Sequence, residues 1–337
     1  MRVLLIFSLL VAALSAKNTV KVFILAGQSN MEGKAQNKLL EYQATAPNTK
    51  KHFAHLREDE KWIERDDVMI KYLNRHGKLT IGYGSRDRTG VELQLGHTLG
   101  DHYEEPVLLI KAAWGGHSLY QKFRSPSAGL PSDEKLAEEL KKARERTKKN
   151  NEKRKKNDPL PTMEDIKAGY GVSWREMLKE VRETLENYET LFPSLKRATP
   201  EIAGFVWFQG WNDQYNGAET EYSSNMEHFI KDVRKEFKSP ELPFVIGVMG
   251  QNGSKEAKGA MKVIQEAQVA MEKLPKVKAV QTDVLIDKAA EALYPTWREN
   301  IPEWEKVGSD HGYHYLGSAI WFNRMGKGFA EALLELK

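Results

Sequence analysis

The chain contains no cysteine, which excludes disulfides, thiolate metal sites and cysteine nucleophiles together. At 337 residues it does not need cross-links, because a domain of that size buries enough apolar surface to hold itself together. After the first 16 residues, no apolar stretch is long enough to cross a bilayer. No carboxylate–histidine set has a recognised zinc spacing either, since His52 and His55 lie close together without one. No metal site is therefore expected. A general excess of one charge is also missing. The net charge is +4, but residues 141–156 hold ten Lys or Arg against Glu145 and Glu152, so this stretch is +8 and the remainder −4. No aromatic residue is interleaved there to stack on bases, so nucleic acid is not an expected partner.

What is present is ordinary for a soluble globular protein: 40% hydrophobic and 29% charged residues. Arg2, the apolar run Val3 to Ala13 and the small residues Ala13, Ser15 and Ala16 form a signal-peptide pattern. Cleavage near Ser15–Ala16 would remove residues 1–15 and export the remainder to a periplasmic or extracellular space, with no stable membrane insertion. An uncleaved anchor is the alternative, although the run is short for a span. Five apolar runs read as strands covered on both faces: Lys21–Ala26, Pro106–Ala112, Gly204–Phe208, Pro243–Val248 and Lys278–Leu285. Helical patterns at Glu92–Tyr103, Ser173–Leu191, Tyr222–Phe237 and Lys255–Leu274 alternate with them, and a last helix runs from about Leu316 to Leu336. This alternation predicts an α/β domain over residues 18–337, a three-layer, doubly wound, mostly parallel five-stranded sheet. Residues 121–169 interrupt the rhythm as a charged helical insert, read most simply as a solvated face starting near Glu134 and fraying at Lys149–Glu152. Oligomeric state has no signature.

Residues suited to chemistry fall at the strand ends. The first strand runs into Gly27-Gln28-Ser29-Asn30-Met31, where a glycine two positions before a serine lets the chain turn sharply and expose the hydroxyl. The second glycine of a Gly-x-Ser-x-Gly elbow is lacking. A plain helix cap by Ser29 or Asn30 is the other reading. Trp114-Gly115-Gly116-His117 follows the second strand, and paired glycines there can aim a backbone N–H at a carbonyl oxygen or simply make a tight turn. Gln209-Gly210-Trp211-Asn212-Asp213 follows the third, with Asn212 able to donate an amide to an oxyanion. Just before the final helix, Asp310, His311 and His314 offer a base and a carboxylate to orient it.

Taken together these segments resemble the sialate O-acetylesterase-like branch of the SGNH hydrolases, which is similar to carbohydrate esterase family 6. Gly27–Met31 looks like its first block, Trp114-Gly115-Gly116 its glycine block and Gly210–Asp213 its Gly-x-Asn-Asp block, in the expected order from about Val20 to Ala330. The resemblance implies a flavodoxin-like sheet and a serine esterase acting on acetyl esters of carbohydrates such as sialic acid or xylan, with no cofactor. It implies Ser29 as nucleophile, His314 as base and Asp310 as its orienting acid, with Ser29, Gly115, Gly116 and Asn212 forming an oxyanion hole. Gln28, Gln209, Trp211, His117 and Glu92 are further pocket residues on this reading. One departure stands out: the family pattern has Asp three residues before His, whereas Asp310 is four before His314 and position 311 is itself histidine. His311 is thus the competing base. A non-catalytic carbohydrate-binding protein of the same fold is the alternative function.

Overall fold

The computed structural model describes residues 19–337, so the expected signal segment lies outside the described residues. A central sheet is built from β1 (Thr19–Gly27), β2 (Val68–Tyr72), β3 (Arg75–Lys78), β4 (Val107–Ala113), β5 (Thr199–Phe208), β6 (Phe244–Val248) and β7 (Val277–Gln281). Their spatial order is β7-β6-β5-β1-β4-β2-β3, parallel throughout except where β3 returns antiparallel beside β2. The sheet therefore has seven strands rather than the five expected. Of the two additional strands, β3 (Arg75-His76-Gly77-Lys78) has no apolar residue to mark it, whereas β2 (Val68-Met69-Ile70-Lys71-Tyr72) is a short apolar run, four of its five residues buried. β3 forms the sheet edge, where polar and charged side chains are usual.

Alternation along β1 shows how the layers arise. Phe23 and Leu25 face one side, with α2 (Glu92–His102) and α7 (Ala319–Glu335); Val20, Val22, Ile24 and Ala26 face the other, with α4 (Val172–Leu191), α5 (Tyr222–Glu236) and α6 (Gly259–Ala270). Successive side chains of a strand point to opposite faces, and here both faces are dry. The order of strands changes direction between β5, β1 and β4, so the carboxyl ends of these three strands lie at the switch point where α/β sheets commonly bind ligands.

The charged insert is more ordered than its sequence suggested. α3 (Asp133–Arg154) is an unbroken 22-residue helix whose N-cap, Ser132, accepts a hydrogen bond from the Lys135 N–H. It is pinned to the body at its base: Glu139 accepts from the hydroxyls of Tyr170 at 2.7 Å and Tyr120 at 3.0 Å. Arg124 lies over both tyrosine rings and pairs with Glu221 at 3.0 Å. The final helix starts at Ala319, later than expected, because Tyr315 and Leu316 take left-handed backbone angles (φ 51° and 60°) that end the preceding turn.

Candidate active site

β1 delivers the chain to Gly27, where a Cβ would overlap the Phe208 carbonyl oxygen, so only glycine permits this approach to β5. The chain then turns into α1 (Ser29–Glu32), a single helical turn. Ser29 is 8% exposed, and its hydroxyl makes no hydrogen bond among the described residues. Its N–H lies in the first turn of that helix, where backbone donors have no partner within the helix. Next to it, the Asn30 side-chain amide donates to the Tyr313 carbonyl at 3.1 Å and so ties the C-terminal loop directly to the Ser29 turn.

That loop carries the acid and both histidines. The His314 N–H donates to the His311 carbonyl at 2.9 Å, and the N–H groups of Ser309 and Asp310 both donate to the Leu316 carbonyl. This compact turn brings Asp310 Oδ1 to 3.1 Å from His314 Nδ1 despite the four-residue spacing, because the chain doubles back after the extended His311, whose carbonyl accepts from the N–H groups of His314 and Leu316. Asp310 also accepts from the His311 N–H at 2.7 Å and pairs through Oδ2 with Arg88 at 2.8 Å. Burial acts to raise the Asp310 carboxyl, but the bonds from His314 and the His311 N–H, with Arg88 beside it, hold it below the usual carboxylate range. The unfavourable φ of Tyr315 is sustained by its complete burial and by its hydroxyl, which accepts from the Gly250 N–H at 2.9 Å and lies 2.8 Å from the Thr282 hydroxyl. The His311 ring stacks on Tyr313 and meets Trp297 edge-on, with no carboxylate bonded to either nitrogen among the described residues.

The third strand-end loop meets the first through one amide. Gln28 Nε2 donates to Asn212 Oδ1 at 3.0 Å, while Gln28 Oε1 accepts from Gln209 and from the N–H of Gly210. With its oxygen occupied, Asn212 keeps its NH2 available. Asp213 is wholly buried and accepts from Gln209 at 2.6 Å and from the N–H groups of Tyr120 and Leu119 at 2.7 and 2.9 Å. Burial pushes its carboxyl up to about 6 against those bonds. It therefore fastens the loop after β4 to the loop after β5.

Several sequence expectations change at this level. The Gly115 N–H is not free for a ligand: it donates to Glu32 Oε1 at 2.7 Å, and Glu32 Oε2 is held by Lys34 at 2.6 Å. Gly116 is exposed, and its N–H has no acceptor among the described residues. Glu92 does not reach the pocket, because it is fully buried in an ion pair with Lys111 at 2.8 Å. Lys111 also donates to the Glu32 and Tyr83 carbonyls at 2.7 Å each, bracing the underside of the Ser29 turn. Gln28 and Gln209 are 2% and 3% exposed and serve as framework rather than ligand contacts. His117 is half-buried, with Nδ1 bound to the Ser173 hydroxyl at 2.6 Å, and burial lowers its pKa with help from Lys122. Trp211 packs at 6.0 Å against Tyr313, itself 41% exposed, beside His314. Arg88, Glu32, Lys111 and Tyr313 were not singled out from the sequence. Lys111 had one signal, a lone charge within the apolar strand Val107–Ala113.

Loops at the carboxyl ends of a mostly parallel sheet, one bearing a serine and another, tied to it through Asn30, bearing an Asp–His pair, define an α/β protein with a hydrolase-like site. A family model described as carbohydrate esterase, sialic acid-specific acetylesterase, matches residues 19–156 and 165–293, and the chain belongs to this family. The match stops short of the loop bearing Asp310 and His314. No curated protein sequence matches the chain. Among solved structures, a protein from Arabidopsis thaliana is 15% identical with a TM-score of 0.53, covering 94% of this chain and 98% of that one. A carbohydrate acetylesterase from Xanthomonas citri is 15% identical (TM-score 0.48), covering 94% of this chain, which spans 56% of that longer one. NanS is 13% identical (TM-score 0.49), with 95% and 98% covered. At these identities the likeness concerns the fold.

Proposed function

We propose that this protein is a serine esterase of the SGNH type that removes O-acetyl groups from carbohydrates through an acetyl-enzyme. The observation carrying this reading is that Asn30 binds the Tyr313 carbonyl, which holds the Asp310–His314 pair against the turn bearing the unbonded Ser29 hydroxyl. Ser29 Oγ attacks the acetyl carbonyl as His314 takes its proton at Nε2; Asp310 fixes the imidazole through Nδ1 and stabilises its charged form. The oxyanion is held by the N–H groups of Ser29 and Gly116 and the Asn212 amide, each such donor being worth roughly 3 kcal/mol. Collapse passes the proton from His314 to the departing sugar oxygen. Water, deprotonated by the same imidazole, then attacks the acetyl-enzyme and releases acetate.

Trp211 and Tyr313 supply apolar faces on which the sugar ring rests. With the proposed export, the substrates are acetylated glycans outside the cytoplasm. Ser29→Ala is expected to lower kcat on acetyl esters by roughly four to six orders of magnitude and to abolish labelling by a fluorophosphonate. Acetate release at wild-type rate by that variant would end the proposal.

A further inference from the structure

The insert helix does more than expose charge. Residues Lys135, Glu138, Glu139, Lys142, Ala143 and Arg146 recur at the spacing of one helical face. That face overhangs a cavity of about 300 Å³ whose opposite wall includes Asn212, Tyr215 and Asn216. Only Leu136 of this 22-residue helix is buried, so the helix is not held in place by an apolar stripe packed on the body. Its polar face is spent on a wall. The cavity shares Asn212 with the proposed acetyl site and so adjoins it.

The charges on that wall are unevenly satisfied. Glu139 is taken by the Tyr120 and Tyr170 hydroxyls, and Glu138 pairs with Lys142 at 2.6 Å. Lys135 has only a 3.3 Å bond to the Asn216 carbonyl, and Arg146 has no partner among the described residues. Three cations, Lys135, Lys142 and Arg146, thus stand against two carboxylates, Glu138 and Glu139, and the cavity lining carries a net charge of +1. Opposite stands Tyr215, 52% exposed, a ring available for stacking on a sugar face. An aromatic platform, amide groups and a net positive charge that includes the unpartnered Arg146 match a saccharide that bears an acidic group.

We infer that the cleft between α3 and the Asn212–Asn216 loop is a second saccharide subsite that binds an acidic sugar next to the acetylated one. The inference rests on the esterase reading for its first subsite and assigns the substrate as an acidic oligosaccharide rather than a free monosaccharide. The acid is a carboxylate or a sulfate, both of which Arg146 and Lys135 can hold.

Two measurements test it. Binding is measured by calorimetry with short unesterified oligogalacturonides, short sulfated oligosaccharides and neutral xylo-oligosaccharides. Wild type should bind one of the acidic probes roughly tenfold more tightly than the neutral one at low salt, and Lys135→Ala/Arg146→Ala should erase that preference. Equal binding of all three probes, or a preference that survives in the double variant, would overturn the subsite. Turnover is then compared on 4-nitrophenyl acetate and on an acetylated form of the preferred oligosaccharide. The double variant should keep wild-type kcat/KM on the aryl ester and raise KM about tenfold on the oligosaccharide; an equal loss on both would overturn the assignment. Failure of wild type to hydrolyse the aryl ester counts against the esterase reading alone, since the binding measurement does not depend on catalysis.

Discussion

His311 and His314 lie three residues apart in one loop, yet their surroundings differ. The His314 ring has a carboxylate 3.1 Å from Nδ1, which favours a proton on that nitrogen and, in the proposed mechanism, leaves Nε2 to take the proton of Ser29. Among the described residues the His311 ring meets aromatic neighbours, Tyr313 at 5.3 Å and Trp297 at 6.1 Å, and no carboxylate bonds to it. His314→Ala should therefore lower kcat by about four orders of magnitude or more, while His311→Ala should change kcat by no more than a few-fold. Asp310→Asn, which misplaces the tautomer, should cost roughly two to four orders of magnitude. Steady-state kinetics on one aryl acetate compares all three, and an inactive His311→Ala beside an active His314→Ala would reverse the assignment.

At the scale of elements, β4 carries a charge where its neighbours are apolar. Lys111 and Glu92 form a fully buried pair beneath α1, and Lys111 gives its remaining protons to the Glu32 and Tyr83 carbonyls. Burial pulls the Lys111 pKa down while Glu92 pulls it up. Removing one partner leaves the other charged and unpaired in a dry interior. Lys111→Met should thus destabilise the protein by about 3–5 kcal/mol, whereas Lys111→Met/Glu92→Gln should recover part of that loss. Urea unfolding gives both values. A double variant as unstable as the single one would show that the pair is not the unit that matters.

For the molecule as a whole, Asp213 links separate strand ends, and its protonation gives stability a distinctive pH dependence. Its folded pKa, about 6, lies above the ordinary carboxylate value of 3.8, so the folded state holds the proton more tightly than the unfolded chain. The stability this confers is fully present below about pH 4 and is lost as pH rises through about 6. Asp310, whose folded pKa is depressed, acts in the opposite sense: its contribution is present above the unfolded value and lost as pH falls through the folded one. Asp213→Asn should flatten the part of the curve between about pH 4 and 6, seen as a smaller shift in urea midpoint across that range than in wild type. It should also lower stability throughout by about 1–3 kcal/mol, because an amide nitrogen would face one of the three donors the carboxylate now accepts. An unchanged slope would show that Asp213 does not titrate there.

Local pattern alone determined much of this. Strands buried on both faces must be continuously apolar, so β1, β4, β5 and β6 stood out, and β7 did so apart from its far end, which stops at Gln281. A glycine two residues before a serine at a strand end marked the Ser29 turn for the same local reason. Only the tertiary structure decided the partners. It placed Arg88 on Asp310, Lys111 on Glu92 and Glu32 on the Gly115 N–H, contacts separated by 222, 19 and 83 residues. It also turned a charged helix into the wall of a cavity. Periodicity records which face of an element is dry, but the identity of the group across the gap is set by how the packed layers bring distant loops together.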